Sequence, residues 1–112
     1  MTAQAELIEK KSRFISYCEH VETESDAKEF IKKIAAEHKK AGHVAYAYVL
    51  HNTAGKSDAG EPKGTAGLPI YNSITRRGMV NVVIVVVRYF GGVLLGKGGL
   101  MRAYGKAAGM VG

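Results

Sequence analysis

Two glycine-rich stretches hold most of the residues that could do chemistry. In GGVLLGKGGL, Gly91, Gly96 and Lys97 satisfy the G-x-x-x-x-G-K spacing of a phosphate-binding loop, between a strand pattern and a helix pattern. Such a loop needs Ser or Thr after the lysine to hold magnesium, and the residue there is Gly98. Val93, Leu94 and Leu95 also make the segment apolar, where a phosphate cradle turns polar backbone outward. A second fragment, Gly55-Lys56-Ser57, has the hydroxyl but carries Leu50 where the leading glycine belongs. Neither is a nucleotide-hydrolysing loop. Two readings stay open for Gly96, Gly98 and Gly99. They could present successive backbone N–H groups to an anion beside Lys97 and Arg102, or simply allow a tight turn and close helix–sheet packing.

Asp58 and Glu61 are the only acids between residues 52 and 68, and with Lys63 and Thr65 they define a second candidate loop. They could form an acid/base pair or bind a hard cation, although carboxylates on such loops more often stay solvated or cap helix termini. Thr65 or Ser57 as a nucleophile would have no base except a distant histidine. His43 and His51 open and close a strand pattern without a second ligand at metal spacing, which favours edge or capping roles. No catalytic residue, metal or cofactor is therefore assigned. Arg88, Tyr89 and Phe90, followed by Lys97, Arg102 and Tyr104, interleave cations with rings, as proteins that hold single-stranded nucleic acid do. The competing and favoured reading packs Phe90 and Tyr104 in the core and has Arg88 carry its charge out from a strand end.

The elements that must position these residues follow from periodicity. Ser12 to His20 alternates as a strand with apolar residues on both faces. Thr23 and Asp26 make a capping-box pattern for a helix whose stripe is Ala27, Phe30, Ile31, Ile34 and Ala35, with Lys39 and Lys40 in its last turn and Gly42 as a left-handed stop. Val44 to Leu50 is a strand with small residues, Ala45 and Ala47, on one face. Residues 52–68 lack periodicity and read as a long loop. Pro69 to Gly78 is a short helix buried through Ile70 and Ile74. Val80 to Val87, almost wholly β-branched, is a central strand covered on both faces. Leu100 to Val111 closes the chain as a helix that needs a surface to lie on, because Gly105 and Gly109 each cost about 1 kcal/mol against alanine.

These elements fit one small domain of 112 residues, an α+β fold with helices packed on a small mixed sheet. One cysteine, Cys18, excludes an internal disulfide and reads as a buried hydrophobe. Met1, Thr2, Ala3 and Gln4 show no targeting pattern, and the longest strongly apolar run is far short of the about 20 residues that span a bilayer. A cytoplasmic protein without membrane contact is expected. The net charge of +6 is unevenly placed. Residues 1–62 carry nine Lys/Arg against ten Asp/Glu, whereas residues 63–112 carry seven Lys/Arg and no acid. A one-signed half attracts nucleic acid or an acidic protein surface.

The runs SDAGEPKGTAGLP (Ser57 to Pro69) and VVVRYFGGVLLGKGGLMRAYGKA (Val85 to Ala107), with KSRF (Lys11 to Phe14) and His43, resemble the N-terminal domain of the IMPACT family, which includes the YigZ-like bacterial proteins. The resemblance spans nearly the whole chain. It implies a fold like the second domain of ribosomal small-subunit protein five and a link to translation, which eukaryotic members regulate. It also implies that 1–112 is a single such domain, without the ferredoxin-like second domain that bacterial members commonly carry. Ala59 stands where the family often has a second aspartate, and Ala45 where many members have cysteine.

The expectation is therefore a non-enzymatic binding module that meets RNA, the ribosome or an acidic translation-associated protein through Lys63, Arg88, Lys97, Arg102 and Lys106. The alternative is an enzyme or small-anion binder using Asp58, Glu61, Lys63, Thr65, Gly96, Gly98 and Gly99. A homo-oligomer formed through an exposed sheet edge is a further expectation.

Overall fold

A computed structural model describes residues 3–112; Met1 and Thr2, part of the stretch read for a targeting signal, lie outside the described residues. The chain runs β1 (Gln4–Glu9), β2 (Ser12–His20), α1 (Glu24–Glu37), β3 (His43–Val49), β4 (Ala54–Ser57), α2 (Gly67–Arg76), β5 (Val82–Tyr89) and α3 (Gly96–Gly109). The strands form one sheet in the order β1-β2-β5-β3-β4. It is an α+β fold with α1 on one face and α2 and α3 on the other.

Every pairing is antiparallel, where a mixed sheet was expected. The crossover through α1 brings β2 and β3 into the same direction, but β5 enters between them and pairs with both. No parallel neighbours remain, and the evenly hydrophobic β5 is central because both its edges and both its faces are covered. Val83, Val85 and Val87 point to α1, and Val82, Ile84 and Val86 to α2 and α3. Ala45 and Ala47 of β3 are fully buried on the second face, which lets α2 approach closely and seat Ile70 and Ile74, each worth about 2 kcal/mol of burial.

Two strands lie outside the elements expected from periodicity. β1 is largely exposed, with only Ala5 and Leu7 turned inward and Ile8 facing out, and β4 is four residues from the segment read as loop. Their existence rests on the pairing offered by β2 and β3. α1 begins as its capping pattern requires, with Thr23 Oγ1 accepting from the Asp26 N–H at 3.1 Å. It ends earlier than the lysine and glycine signals indicate, at His38. The His38 ring lies at 2.6 Å from both the Tyr17 and Tyr89 hydroxyls, which ties the end of the helix to β2 and β5. Gly42, expected as the stop, instead donates its N–H to the Arg88 carbonyl at 3.0 Å.

Candidate functional site

The segment between β4 and α2 is not a loose loop; its two carboxylates hold it together. Asp58 accepts from the backbone N–H groups of Gly64, Ala66 and Gly67 at 2.9, 3.1 and 2.8 Å. It thereby caps α2, whose own N-cap position, Ala66, has no side chain to do so. Partial burial would raise the Asp58 carboxyl, but the three N–H donors outweigh it and hold the group below its ordinary value.

Glu61 points inward to a buried polar cluster. The Arg88 guanidinium donates to its two oxygens at 3.0 and 2.9 Å, and the Tyr104 hydroxyl donates to Oε2 at 2.5 Å. His43 donates from Nδ1 to the Ala59 carbonyl at 2.8 Å and brings Nε2 to 3.5 Å from Glu61. Ser12 Oγ accepts from Arg88 on its other side at 3.3 and 3.4 Å. Burial, followed by the Glu61 carboxylate, drives the Tyr104 phenol well above its usual range. The cluster thus joins β2, β5, the β4–α2 loop and α3 at one internal point.

This geometry corrects the sequence reading of several residues. Arg88, expected to carry its charge outward, is 6% exposed because Glu61 and Ser12 satisfy it inside. It offers no charge to a surface ligand. Glu61 and Asp58 are committed to Arg88, Tyr104 and backbone N–H groups, which leaves neither as a free acid/base or cation ligand. Thr65 is buried and donates its hydroxyl to the Pro62 carbonyl at 2.5 Å, so it is no accessible nucleophile. Gly96, Gly98 and Gly99 form the first turn of α3 rather than a loop before it. The tie from the Glu61 loop to α3 runs through Tyr104, about two turns further along the helix. Tyr104 is core, as expected, but Phe90 is 57% exposed.

The remaining cations divide by role. Arg77 donates to the Ala108 and Val111 carbonyls at 3.0 and 2.7 Å, closing the end of α3. Lys63, Arg76, Lys97, Arg102 and Lys106 stay exposed, and none enters an ion pair among the described residues. Three of them, Arg76, Arg102 and Lys106, line a groove of about 360 Å³ between α2 and α3, whose other walls include Pro69, Asn72, Met101 and Gly105. Nothing in residue order separates Arg77, which turns to the α3 carbonyls, from its neighbour Arg76. Only the packing of α2 on α3, with Pro69 against Gly105 and Ser73 against Gly109, brings Arg76 to the other two. No helix among the described residues is long and apolar enough to cross a membrane.

A family model described as the Impact N-terminal domain matches residues 10–111. The chain is 46% identical over 105 residues to the IMPACT family member YvyE of Bacillus subtilis (strain 168), covering 91% of this chain and 48% of that protein. Against the IMPACT family member YigZ of Escherichia coli (strain K12) it is 45% identical over 101 residues, covering 86% of this chain and 50% of the relative. A crystal structure described as that of a hypothetical protein superposes with a TM-score of 0.94 at 39% identity, over 97% of this chain and 55% of that one. The two-domain translational regulator Yih1 superposes with a TM-score of 0.62 at 25% identity, over 95% and 45% of the respective chains. The chain spans about half the length of the curated relatives it matches.

Proposed function

The chain belongs to the IMPACT family, and from that premise we propose that it is a binding module linked to the regulation of translation, taking the phosphodiester backbone of RNA along the α2–α3 groove. The observation that carries this reading is the set Arg76, Arg102 and Lys106, three cations around one groove with no acidic partner among the described residues. Lys63 and Lys97 extend the positive field from the β4–α2 loop and the first turn of α3. Unpaired cations along a groove suit a ribbon of phosphates, whose neutralisation releases counterions and makes affinity depend steeply on salt. The likeness to a translational regulator supports the biological setting. The committed acids of the neighbouring loop count against the enzyme reading.

Filter binding of single-stranded RNA across a salt series tests this. Affinity should fall as salt rises, and Arg102→Ala or Lys106→Ala should each weaken binding and lower the salt slope by about one. No binding at low salt, or binding indifferent to both changes, rejects the proposal. An acidic protein surface would satisfy the same cations, and its capture from extract would survive nuclease treatment.

A further inference from the structure

The loop between β5 and α3 has a feature that RNA recognition through the groove does not use. Its apolar residues face water: Leu94 is 82% exposed, Phe90 57% and Val93 39%. Three neighbouring apolar side chains displayed together on a small domain mark an interaction site more often than isolated exposed residues do. The loop is also held firmly. Gly91 lies so close to the β1–β2 turn that an added Cβ would sit 2.0 Å from the Lys11 carbonyl oxygen, and its N–H donates to Ser12 Oγ at 3.3 Å. Leu95 anchors the far end in the core. Phe90 lies 5.5 Å from the buried Arg88 guanidinium, so one ring face rests on the domain. A display fixed in this way loses little entropy when something docks on it.

The surroundings of the display indicate its occupant. Lys97 follows it in the first turn of α3, and the adjoining β1–β2 turn presents Lys10 and Lys11, all exposed. Glu9, the last residue of β1, adjoins this turn, so the rim carries both signs, which suits a protein segment of mixed side chains better than a uniformly anionic bilayer. RNA gains little from aliphatic Leu94 and Val93, which offer no flat ring for a base. We infer that Phe90, Val93 and Leu94, with Lys97, Lys10 and Lys11 at their rim, form a docking surface for a protein segment that carries aliphatic or aromatic side chains next to aspartate or glutamate.

Selection of a random-peptide display library against the chain, with parallel selection against Leu94→Ser, tests this. Leu94 is exposed, so the substitution leaves the core intact. Peptides enriched only on the unsubstituted chain should pair apolar residues with acids. Synthetic versions should perturb the backbone resonances of residues 90–97 and lose at least about tenfold in affinity for both Leu94→Ser and Lys97→Glu. Enriched peptides that lack acids, enrichment equal on Leu94→Ser, or no enrichment would each overturn the inference. So would binding of the loop to anionic phosphatidylserine vesicles, to oligouridylate or to a second copy of the chain in place of the peptides. Arg102→Ala should leave peptide binding unchanged, which separates this surface from the groove.

Discussion

The Arg88 guanidinium meets both carboxylate oxygens of Glu61 from a single nitrogen, at 3.0 and 2.9 Å, across 27 positions of sequence and with both side chains buried. Arg88 stands in β5, the central strand, and Glu61 in the loop that leads into α2. The pair therefore sets the position of the loop relative to the sheet. Tyr104, donating to the same carboxylate at 2.5 Å, adds α3 to the arrangement. The groove between α2 and α3 depends on this internal point, because α2 begins at the loop Glu61 holds and α3 carries Tyr104.

Breaking the pair should cost far more than removing it whole. Arg88→Met strands a buried carboxylate and should lower stability by about 3–5 kcal/mol, as should Glu61→Leu for the opposite charge. The double variant should cost clearly less than the two losses added together. Urea denaturation of the three variants measures this coupling; additive losses would mean that the two charges do not depend on each other.

Asp58 should govern acid stability. Its folded pKa is depressed, so its contribution is complete above the unfolded value of about 3.9 and is lost as pH falls through the folded value below that. Asp58→Ala should cost about 2 kcal/mol at neutral pH, the upper part of the range for a helix cap, because three N–H groups lose their acceptor. Asp58→Asn should flatten the decline in stability on the acid side, read from unfolding curves over a pH series.

Tyrosine ionisation should split into early and late groups. Tyr48 donates to Glu24 at 2.5 Å, and that bond, with burial, pushes its pKa up to about 12. Tyr104 lies higher still. Both folded values are raised, so these contributions are complete below about 10 and vanish as pH rises through the folded values. Ultraviolet titration should show the phenolate of Tyr104 emerging only with loss of folded circular dichroism, and Tyr104→Phe should remove that last step. Ionisation of all six tyrosines in a folded chain would contradict the buried Glu61 cluster.

Gly91→Ala should be among the most damaging small substitutions. The added methyl would lie 2.0 Å from a backbone oxygen and 2.1 Å from a backbone carbon of Lys11, atoms that cannot turn aside as a side chain can. A loss of about 3 kcal/mol, or a displaced β5–α3 loop, is expected. Gly92→Ala meets no atom within 4 Å, though its φ of +88° adds strain, so it should cost less. Thermal unfolding of the two variants compares them.

How much the sequence discloses differs by element. The β-branched run in β5, the capping pattern at Thr23 and the Ile70/Ile74 spacing each state their structure locally, because burial on two faces, a cap and a helical stripe are all short-range signals. β1 and β4 give no such signal. Gln4–Glu9 turns only Ala5 and Leu7 inward and leaves Ile8 exposed, Ala54–Ser57 is small or polar, and both are strands because β2 and β3 leave backbone groups that need partners.

The same division separates the two kinds of functional statement. The motifs from Ser57 to Pro69 and from Val85 to Ala107 are local strings, so the family and the acid-free back half were legible from residue order alone. Which charges face water was not, since Arg88 and Arg102 read as equivalent cations until packing set one against Glu61 and left the other at the groove. The arrangement of β2, β5, the loop and α3 around one carboxylate decides it: a charge is available only where the fold supplies no internal partner, and partners so far apart in sequence meet only in three dimensions.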